Sequence, residues 1–277
     1  MSNHLDEKYQ RLQAIFREIG SVVIGYSGGV DSAFLAKAAT DVLGDRALCV
    51  AAVSGSYPEF ERREAEKNAR EMGLNFECVT TSELDDPNYR KNAADRCYFC
   101  KKELVSHLQR IAQERGYRAI AVGTNLDDLG DYRPGQQAVK EGGARNPLVE
   151  AGLTKEDIRL LSKRLNIPTW NKPAFACLSS RFPYGEEITP EKLRMVEQAE
   201  DYLRQLGFQQ YRVRHHHNLA RIETPPDAMP KILENREEIY RRFREIGYAY
   251  ISLDLMGYRQ GSMNETLIQI GKSPSIS

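Results

Sequence analysis

The chain has 277 residues, with 39 Lys and Arg against 39 Asp and Glu, so its formal net charge is zero. A 41% share of apolar residues is enough for a packed core and excludes disorder as the main state. The longest apolar run, 47–53, is far too short to span a bilayer, and from the polar start MSNHLDEKYQ we expect no secretion signal. We therefore expect a cytoplasmic chain with no membrane partner and, without excess positive charge, no nucleic-acid partner.

The first part of the chain alternates apolar runs of strand length with amphipathic segments, which predicts an α/β fold with a parallel sheet covered on both faces. A functional loop is expected at 125–147, which is rich in Gly and Asp. Thr154 and Asp157 have capping-box spacing at the start of a helix that stops before Pro168. Strands are predicted at 21–27, 47–53, 74–81 and 119–124, and the other helices at 5–19, 33–44, 58–72 and 98–115.

The pattern changes after the segment 169–187, which we interpret as the junction between a domain of residues 1–170 and one of residues 171–277. The order of elements beyond it predicts a smaller α+β domain with an antiparallel hairpin turning at Asn218. Helices are predicted there at 190–206 and 227–246, and strands at 211–217, 220–224 and 248–255.

The run SGGVDS lies between a predicted strand and a predicted helix. Its glycines, Gly28 and Gly29, let the backbone approach a polyanion, and the N–H groups and helix N-terminus attract negative charge. Ser27 and Ser32 can donate hydroxyl hydrogen bonds, whereas Asp31 needs a metal ion to offset its charge, or caps local N–H groups. No Lys follows the glycines, so this is not a Walker loop, and a purely structural tight turn is the alternative.

The five cysteines are an odd number, which favours a reduced chain. Cys97 and Cys100 form a C-x-x-C pair at a helix start, and Cys177 is far along the sequence. Three thiolates would leave one position of a tetrahedral iron open, whereas structural zinc takes four ligands. A redox or persulfide pair, zinc and simple packing stay open as alternatives. Cys49 and Cys78 lie inside predicted strands and are interpreted as core residues.

SGGVDS after a buried strand resembles the signature of the PP-loop ATP pyrophosphatases, which split ATP into AMP and pyrophosphate. The resemblance implies that the loop holds pyrophosphate and that the run GTNLDD (123–128) lies near Mg²⁺ and nucleotide. It assigns Gly123, Thr124, Asp127 and Asp128 to that second group, with a solvated turn as the alternative for the aspartates. Lys101 is expected to meet ATP phosphates, with a surface lysine as its alternative.

Longer motifs sharpen the resemblance: ACLSSRFPYGEEIT (176–189), DYRPG (131–135), GARNPL (143–148), VRHHHNLARIE (213–223) and GYRQGSMNE (257–265). Over nearly its whole length the chain resembles the LarE family of ATP-dependent sacrificial sulfur transferases. The resemblance implies that it adenylates a carboxylate of pyridinium-3,5-biscarboxylic acid mononucleotide and replaces the activated oxygen by sulfur. This reaction belongs to the biosynthesis of the nickel-pincer nucleotide cofactor of lactate racemase. Activation is needed because a carboxylate repels a thiolate and lacks a good leaving group.

Members of that family differ in the source of sulfur. In the sacrificial form one cysteine, at the position of Cys177, gives up its sulfur and becomes dehydroalanine. Members with three cysteines hold a [4Fe-4S] cluster whose open iron carries sulfide. This chain has all three, Cys97, Cys100 and Cys177, so the resemblance implies cluster-based transfer from sulfide or another donor, with sacrifice of Cys177 as the alternative. It also implies a homo-oligomer.

The phosphate and carboxylates of the substrate are assigned mainly to arginines, because the guanidinium fork matches both groups. Strand alternation puts Arg212 and Arg214 on one face, and exposed sheet cations are the alternative. The same alternation separates His216 from His215 and His217, so no shared metal site is assigned. The substrate candidates are Arg133, Ser180, Arg181, Arg212, Arg214 and Arg259, with Glu200 and Glu223 orienting substrate or holding a divalent metal. A solvated helix position is the alternative for Glu200.

Three other functions stay open from the sequence. A PP-loop tRNA thiolase also uses three cysteines and a cluster, but it should show a basic RNA surface. An amide-forming synthetase would need a source of ammonia. A non-catalytic nucleotide sensor with structural zinc would release no pyrophosphate.

Overall fold

A computed structural model describes residues 2–130, 134–173 and 176–259. The chain divides into two compact units, one of residues 1–89 and 95–175 and the other of residues 90–94 and 176–277. Each unit has its own sheet. Arg133 and the end of the motif GYRQGSMNE lie outside the described residues.

The first unit is built on a parallel sheet, as predicted. Its strand order is β3-β2-β1-β4, and Val22 pairs with Ala47 on one side and with Ala119 on the other. The central strand β1 is buried throughout, because helices cover both faces of the sheet. The strands are β1 (Val22–Gly25), β2 (Ala47–Val53), β3 (Asn75–Thr80) and β4 (Ala119–Val122).

Two apolar layers hold the helices of this unit against the sheet. One layer contains Phe16, Phe34 and Ile158, and the other contains Val105 and Leu108. Burial of such side chains is the main favourable term in the free energy of folding. The helices are α1 (Ser2–Ile19), α2 (Val30–Leu43), α3 (Glu59–Glu71), α4 (Pro87–Arg90), α5 (Arg96–Arg115), α6 (Pro134–Glu141), α7 (Pro147–Glu150) and α8 (Lys155–Arg164).

The capping box at the start of α8 is confirmed in both halves. Thr154 Oγ1 accepts from the Asp157 N–H at 3.2 Å, and the Asp157 carboxylate accepts from the Thr154 N–H at 3.1 Å. The interpretation of 125–147 as a loop was wrong in part, because this stretch contains α6 and a 3-10 turn at Leu126–Gly130. Helix α2 begins at Val30, three residues earlier than predicted, which places Asp31 and Ser32 in its first turn.

The interpretation of Cys78 as a core residue was also wrong. Cys49 is fully buried on β2, but Cys78 is exposed on β3. The physical reason is the strand order, since β3 lies at an edge of the sheet while β2 is flanked on both sides. None of the five cysteines forms a disulfide.

The second unit contains the predicted antiparallel hairpin, to which a third strand is added in parallel, in the order β5-β6-β7. The single helix expected at 227–246 is divided at Asn235, whose side-chain amide donates to the Lys231 carbonyl at 2.8 Å. The strands are β5 (Arg212–His216), β6 (Leu219–Glu223) and β7 (Tyr250–Leu253), and the helices are α9 (Pro190–Gln205), α10 (Met229–Glu234) and α11 (Arg236–Ile246).

Among the residues that the structure describes, no helix has both the length and the apolar composition required to cross a bilayer.

Candidate functional site

The order of the parallel strands predicts where a ligand binds in the first unit. The chain runs from β1 outward through β2 to β3, then returns to the other side of β1 to form β4. Ligands of open α/β sheets bind at the carboxyl ends of the strands, where this reversal of direction occurs. The segment 26–32 follows β1 and the segment 123–128 follows β4, so both predicted nucleotide motifs lie at this point.

The loop after β1 has the backbone conformation of an anion-binding turn. Gly28 has φ of +66°, which L side chains rarely adopt, and a Cβ there would stand 2.7 Å from Ala65 Cβ on α3. Gly29 is the N-cap of α2, and no side chain caps it. The first N–H groups of α2 are therefore directed towards the loop, as a phosphate site requires.

The serine hydroxyls of the loop are held in place. Ser27 and Ser32 have their Oγ atoms 3.1 Å apart, and Ser32 Oγ also accepts from the Ser27 N–H at 3.1 Å and lies 3.2 Å from the Gly29 carbonyl. Tyr57, which precedes α3, donates its hydroxyl to the Ser27 carbonyl at 3.0 Å. Burial raises the pKa of Tyr57 well above its usual value, so the hydroxyl stays protonated as a donor.

Gly123 brings the end of β4 directly against the start of α2. A Cβ on Gly123 would stand 2.9 Å from Ser32 N and 3.1 Å from the Asp31 carbonyl carbon. Both neighbours are backbone atoms that cannot move aside cheaply. Only glycine therefore allows the two predicted nucleotide segments to approach this closely.

Lys155, at the first position of α8, joins two of the predicted acidic residues. Its Nζ lies 2.5 Å from Asp31 Oδ2, and its backbone N–H donates to Asp127 Oδ2 at 2.7 Å. Asp31 Oδ1 is buried and has no hydrogen-bond partner among the described residues. Because a buried carboxylate oxygen without a partner is costly, this atom is a suitable ligand for a cation.

The turn that carries Asp127 and Asp128 is fixed by Asn125. The Asn125 side-chain oxygen accepts from the N–H groups of Asp127, at 2.9 Å, and of Asp128, at 3.3 Å. Asp128 in turn accepts from the Asn125 N–H at 3.1 Å. Asp127 is exposed and Asp128 half-buried, so a metal ion or nucleotide can reach both. Thr124, also half-buried, lies between Gly123 and this turn.

The C-x-x-C pair lies in the first turn of α5, as predicted. Cys97 is exposed and Cys100 is half-buried. Lys101 is also exposed, and its Cγ would stand 2.9 Å from a Cβ on Gly135, so α6 begins directly over this turn. Within the described ranges, no group of three or more His, Cys, Asp or Glu side chains is arranged to hold a metal ion.

In the second unit, Cys177 lies at the N-cap of a 3-10 turn, Leu178–Arg181, and is half-buried. Its carbonyl accepts from Ser180 Oγ at 2.8 Å and from Arg181 Nη1 at 2.9 Å. Arg181 Nη1 also donates to the Ala176 carbonyl at 2.5 Å. Two predicted substrate residues thus hold the backbone on which the Cys177 thiol is mounted.

Arg181 is itself fixed by Glu200. Both are buried, and the fork is bidentate, with Nε and Nη2 each 2.9 Å from a Glu200 oxygen. Burial acts to lower the pKa of Arg181, but the Glu200 carboxylate outweighs it and raises the pKa. Glu200 Oε1 also accepts from the Val213 N–H at 2.9 Å. The alternative of a solvated Glu200 was therefore wrong.

A second pair forms across the hairpin. Arg214 donates through Nε and Nη2 to Glu223 Oε2 at 2.9 and 2.8 Å, and through Nη1 to the Ser180 carbonyl at 2.9 Å. Glu223 is completely buried and also accepts from Arg221 at 3.1 Å. Arg214 is only 5% exposed, so the alternative of an exposed sheet cation was wrong for this residue.

Arg212 lies beside Arg181 and Arg214, and we call these three residues the arginine cluster. It donates to the Tyr211 carbonyl at 2.7 Å and stacks over the Tyr258 ring at 5.3 Å. Burial and then the charge of Arg181 lower the pKa of its guanidinium. A bound anion would relieve this repulsion. Arg259 lies nearby in the same unit, 3.6 Å from Asp254.

Of the three consecutive histidines, His215 and His216 lie on β5 and His217 lies in the turn that follows it. His215 is buried, with Nδ1 3.1 Å from the Tyr248 hydroxyl, and burial lowers its pKa to about 4. His217 is exposed at the hairpin turn. Both rings lie near one carboxylate, with Glu186 Oε1 3.4 Å from His215 and 3.5 Å from His217.

Sequence reasoning missed two residues that shape the loop after β1. Lys155 follows a helix cap and carries no motif, so nothing in the pattern connected it with Asp31, 124 positions earlier. Tyr57 precedes α3 in a segment without periodicity. The topology of the fold, and not a motif, could have indicated both residues, because each lies at the carboxyl edge of the sheet.

Comparison with known proteins agrees with this geometry and gives relatives that are similar over both units. The sequence profile described as NAD synthase matches residues 7–106. An uncharacterized protein of Synechocystis sp. is 48% identical over 265 residues, which cover 95% of this chain and 99% of the relative. The pyridinium-3,5-bisthiocarboxylic acid mononucleotide synthase of Lactiplantibacillus plantarum is 39% identical over 264 residues, or 95% of this chain and 96% of the relative.

An uncharacterized protein of Methanocaldococcus jannaschii is 31% identical over 259 residues, covering 94% of this chain and 96% of the relative. These three similarities span both compact units. The likeness is therefore not confined to the phosphate loop.

Proposed function

Because the chain belongs to the LarE family of pyridinium-3,5-bisthiocarboxylic acid mononucleotide synthases, ATP-dependent sulfur transferases with a PP-loop domain, we propose that it thiolates a carboxylate of pyridinium-3,5-biscarboxylic acid mononucleotide. The single observation that carries this proposal is the 39% identity with a named synthase across both units, 95% of the chain. The glycine loop at the switch point of the sheet supports it independently, because it supplies the site for ATP.

The first step activates the substrate. A substrate carboxylate oxygen attacks the α-phosphorus of ATP, the bond to the β-phosphate oxygen breaks, and pyrophosphate leaves while an acyl adenylate forms. The N–H groups at the start of α2, with Ser27 and Ser32, would hold the pyrophosphate. The Lys155 ammonium, now on Asp31, would neutralise developing negative charge.

The donor set at this site suits Mg²⁺, which prefers carboxylate oxygens. Asp31 offers a buried oxygen without a hydrogen-bond partner, and Asp127 and Asp128 are accessible on a turn fixed by Asn125. When bound, Mg²⁺ would offset the charge of the phosphates. The aspartates would therefore hold the ion and orient the nucleotide.

The second step transfers sulfur. A sulfur nucleophile attacks the acyl carbon, and AMP leaves with the electron pair of the carbon–oxygen bond. If Cys177 is the nucleophile, loss of its α-proton then breaks its Cβ–S bond, leaving dehydroalanine and a thiocarboxylate. The contacts of Ser180 and Arg181 with the Cys177 carbonyl would keep this backbone fixed during attack.

We further propose that Cys97, Cys100 and Cys177 hold a [4Fe-4S] cluster. All three are at least partly accessible and outside disulfides, unlike the buried Cys49. Two of them share the first turn of α5, where their spacing suits one centre. Such a cluster supplies an open iron that can carry sulfide from an external donor, so the chain would turn over repeatedly.

The substrate phosphate and carboxylates would bind at the arginine cluster of the second unit. Arg212 is the leading candidate, because its pKa is lowered by burial and by a neighbouring cation. Arg214 and Arg181 already have carboxylate partners and would contribute mainly fixed positive charge. Arg133 and Arg259 complete the proposed set, because the guanidinium fork matches both phosphate and carboxylate. We also propose that the enzyme acts in the cytoplasm, on a small nucleotide, as a homo-oligomer.

The test is anaerobic incubation of the purified protein with ATP, the biscarboxylate nucleotide and sulfide. Pyrophosphate, the mass of the nucleotide product and the mass of the intact chain are measured together. Thiolated product with an unchanged chain mass supports the cluster route. A chain that loses the mass of one H₂S supports sacrifice of Cys177. Absence of pyrophosphate release would contradict the proposed function.

Cysteine variants separate the two routes. Cys97→Ala should abolish repeated turnover with sulfide but leave a single sacrificial turnover, whereas Cys177→Ala should abolish both. Cys78→Ala is the matched control, because Cys78 is equally accessible but lies on the edge strand β3. Full multiple-turnover activity of Cys97→Ala would contradict the cluster proposal.

A further inference from the structure

Residues 169–172, near the end of the first unit, are attached to α3 by a partly buried ion pair. Lys172 Nζ lies 2.7 Å from Glu61 Oε2 and 3.0 Å from Glu64 Oε2, and the lysine side chain is only 14% exposed. Burial alone would lower the pKa of Lys172, but Glu61 and Glu64 raise it, so the ammonium stays charged. We call residues 169–172 the connector base.

Helix α8 holds the connector base from another direction. The Arg159 guanidinium donates to the carbonyls of Trp170, at 2.8 Å, and Lys172, at 3.0 Å. The Lys163 ammonium lies 4.9 Å from the centre of the Trp170 ring. Charged groups on two helices thus fix a four-residue segment, which is more than an ordinary surface turn receives.

Helix α3 is also the helix that touches the phosphate loop. Gly28 comes so close to it that a Cβ would stand 2.7 Å from Ala65 Cβ. Tyr57, just before the helix, donates to the Ser27 carbonyl at 3.0 Å. Glu61 and Glu64 therefore hold the connector base on the same rigid element against which the loop packs.

The covalent chain limits how far Cys177 can be from this anchor. Cys177 is five positions after Lys172 in the sequence, and a fully extended chain of that length spans at most about 18 Å. If the connector base were not held, the chain that leads to Cys177 would start from an earlier fixed residue and would therefore be longer. A short tether with a fixed origin raises the effective concentration of the thiol near that origin.

We propose that Lys172 is a positioning residue for sulfur transfer, acting through its contacts with Glu61 and Glu64 to fix the origin of the chain that carries Cys177. The proposal rests on the proposed function for its chemistry, but not for the anchor itself. The proposal separates the two steps of the reaction. Activation of the substrate uses the loop after β1, whereas sulfur transfer depends on how far the Cys177 thiol can reach.

The test compares Lys172→Met with the wild-type chain. Methionine keeps most of the apolar stem but removes the ammonium, so the fold is retained while the attachment of the connector base to α3 is lost. Pyrophosphate release on ATP and substrate should stay within about twofold, while the single-turnover rate of thiolation falls roughly tenfold or more, the scale expected when a reacting group is misplaced. Chymotrypsin should also cut faster after Trp170, which lies within the connector base.

Two further variants separate positioning from general stability. Lys172→Arg keeps the charge and should retain transfer, and Lys172→Glu combined with Glu64→Lys should recover part of the rate lost in Lys172→Glu alone. Lys67→Met is the matched control, because Lys67 lies on α3, the helix of Glu61 and Glu64, is 74% exposed and pairs with Glu71 at 3.8 Å. It should change neither rate nor cleavage.

Three results would overturn the proposal. The first is an unchanged transfer rate in Lys172→Met, and the second is an equal fall of pyrophosphate release and transfer, which indicates a merely structural role. If the wild-type chain releases no pyrophosphate, the proposed function fails on its own. The anchor is then judged by proteolysis, and cleavage of Lys172→Met no faster than of Lys67→Met overturns it.

Discussion

The polar groups of the phosphate loop and those of the arginine cluster are satisfied in opposite ways. After β1, no side chain caps the start of α2, and Asp31 Oδ1 has no hydrogen-bond partner among the described residues. In the second unit, Arg181 and Arg214 are buried and already paired with Glu200 and Glu223. The first region is arranged to receive charge from a ligand, whereas the two ion pairs of the second, from which Arg212 is separate, form a closed network.

This difference separates two contributions of a residue, to function and to stability. Removing one partner from a buried ion pair leaves the other charge uncompensated, so the network is sensitive to any single change. Replacing a polar group near the surface of an open site changes the free energy of unfolding of the protein only slightly. Variants in the two regions should therefore affect the free energy of unfolding and the activity in different proportions.

Glu223→Gln should have the largest effect on stability. It neutralises a completely buried carboxylate and leaves Arg214, which is 5% exposed, without its counter-charge. We expect the free energy of unfolding to fall by about 3–5 kcal/mol. Denaturant unfolding followed by circular dichroism measures this change.

The matched control is Glu237→Gln, on α11 of the same unit. Glu237 is 86% exposed and its contact with Arg236, at 3.1 Å, is a surface pair. Its replacement should leave the denaturation midpoint unchanged. Equal losses in the two variants would contradict a closed network around Glu223.

The next largest effect should come from pH. Burial lowers the pKa of His215 from 6.5 to about 4, while Glu186 opposes the shift and Lys192 adds to it. Between these values the unfolded chain binds a proton that the folded chain does not. As the pH is lowered from 6.5 to 4, the free energy of unfolding should therefore fall by about 1.4 kcal/mol for each pH unit. Above pH 6.5 this group should contribute no pH dependence.

His215→Asn should make this dependence shallower. Urea unfolding at pH 7 and at pH 4.5 gives the difference for wild type and variant, with exposed His4→Asn as the control. A variant with the same slope as wild type would show that His215 is not the responsible group.

Gly123→Ala should have an intermediate effect on stability. The new methyl group would lie 2.9 Å from Ser32 N, a backbone atom, so β4 and α2 must separate. We expect a loss of about 1–3 kcal/mol, typical of overpacking, together with weaker ATP binding in calorimetry. Gly29→Ala is the control for stability, because a Cβ there has its nearest neighbour, Ser27 Oγ, at 3.6 Å. Equal losses of stability in the two variants would argue against this steric explanation.

The sequence predicted the parts of the fold that follow from apolar periodicity. Strand β2 was predicted with its observed limits, and the capping box of Thr154 and Asp157 is present. Helix α6 was missed because Pro134 and Gly135 at one end, and two glycines after the other, look like loop signals. Cys78 was assigned to the core because a strand pattern does not say which strand is at an edge.

The candidate site divides along the same line. The loop after β1 was predictable, since a glycine-rich turn between strand and helix has few other uses. The partner of Arg214 was not, because strand alternation gives the face of a residue but not its register. In the hairpin Arg214 stands opposite Arg221, and Glu223 lies one diagonal step away, opposite Arg212. That register is set by the turn geometry around residues 217 and 218, where His217 has φ of +52°, a conformation that the sequence did not indicate.

Asp31→Asn should change stability least. Asp31 and Lys155 are 20% and 35% exposed, so their pair contributes less than about 1 kcal/mol. Pyrophosphate release should nevertheless fall roughly a hundredfold, the scale seen when one group of a charge-stabilising site is removed. Unfolding and pyrophosphate release measured on the same preparation give both quantities. A stability loss as large as that of Glu223→Gln would mean that the loop, too, is a closed network, and the contrast between the two regions would fail.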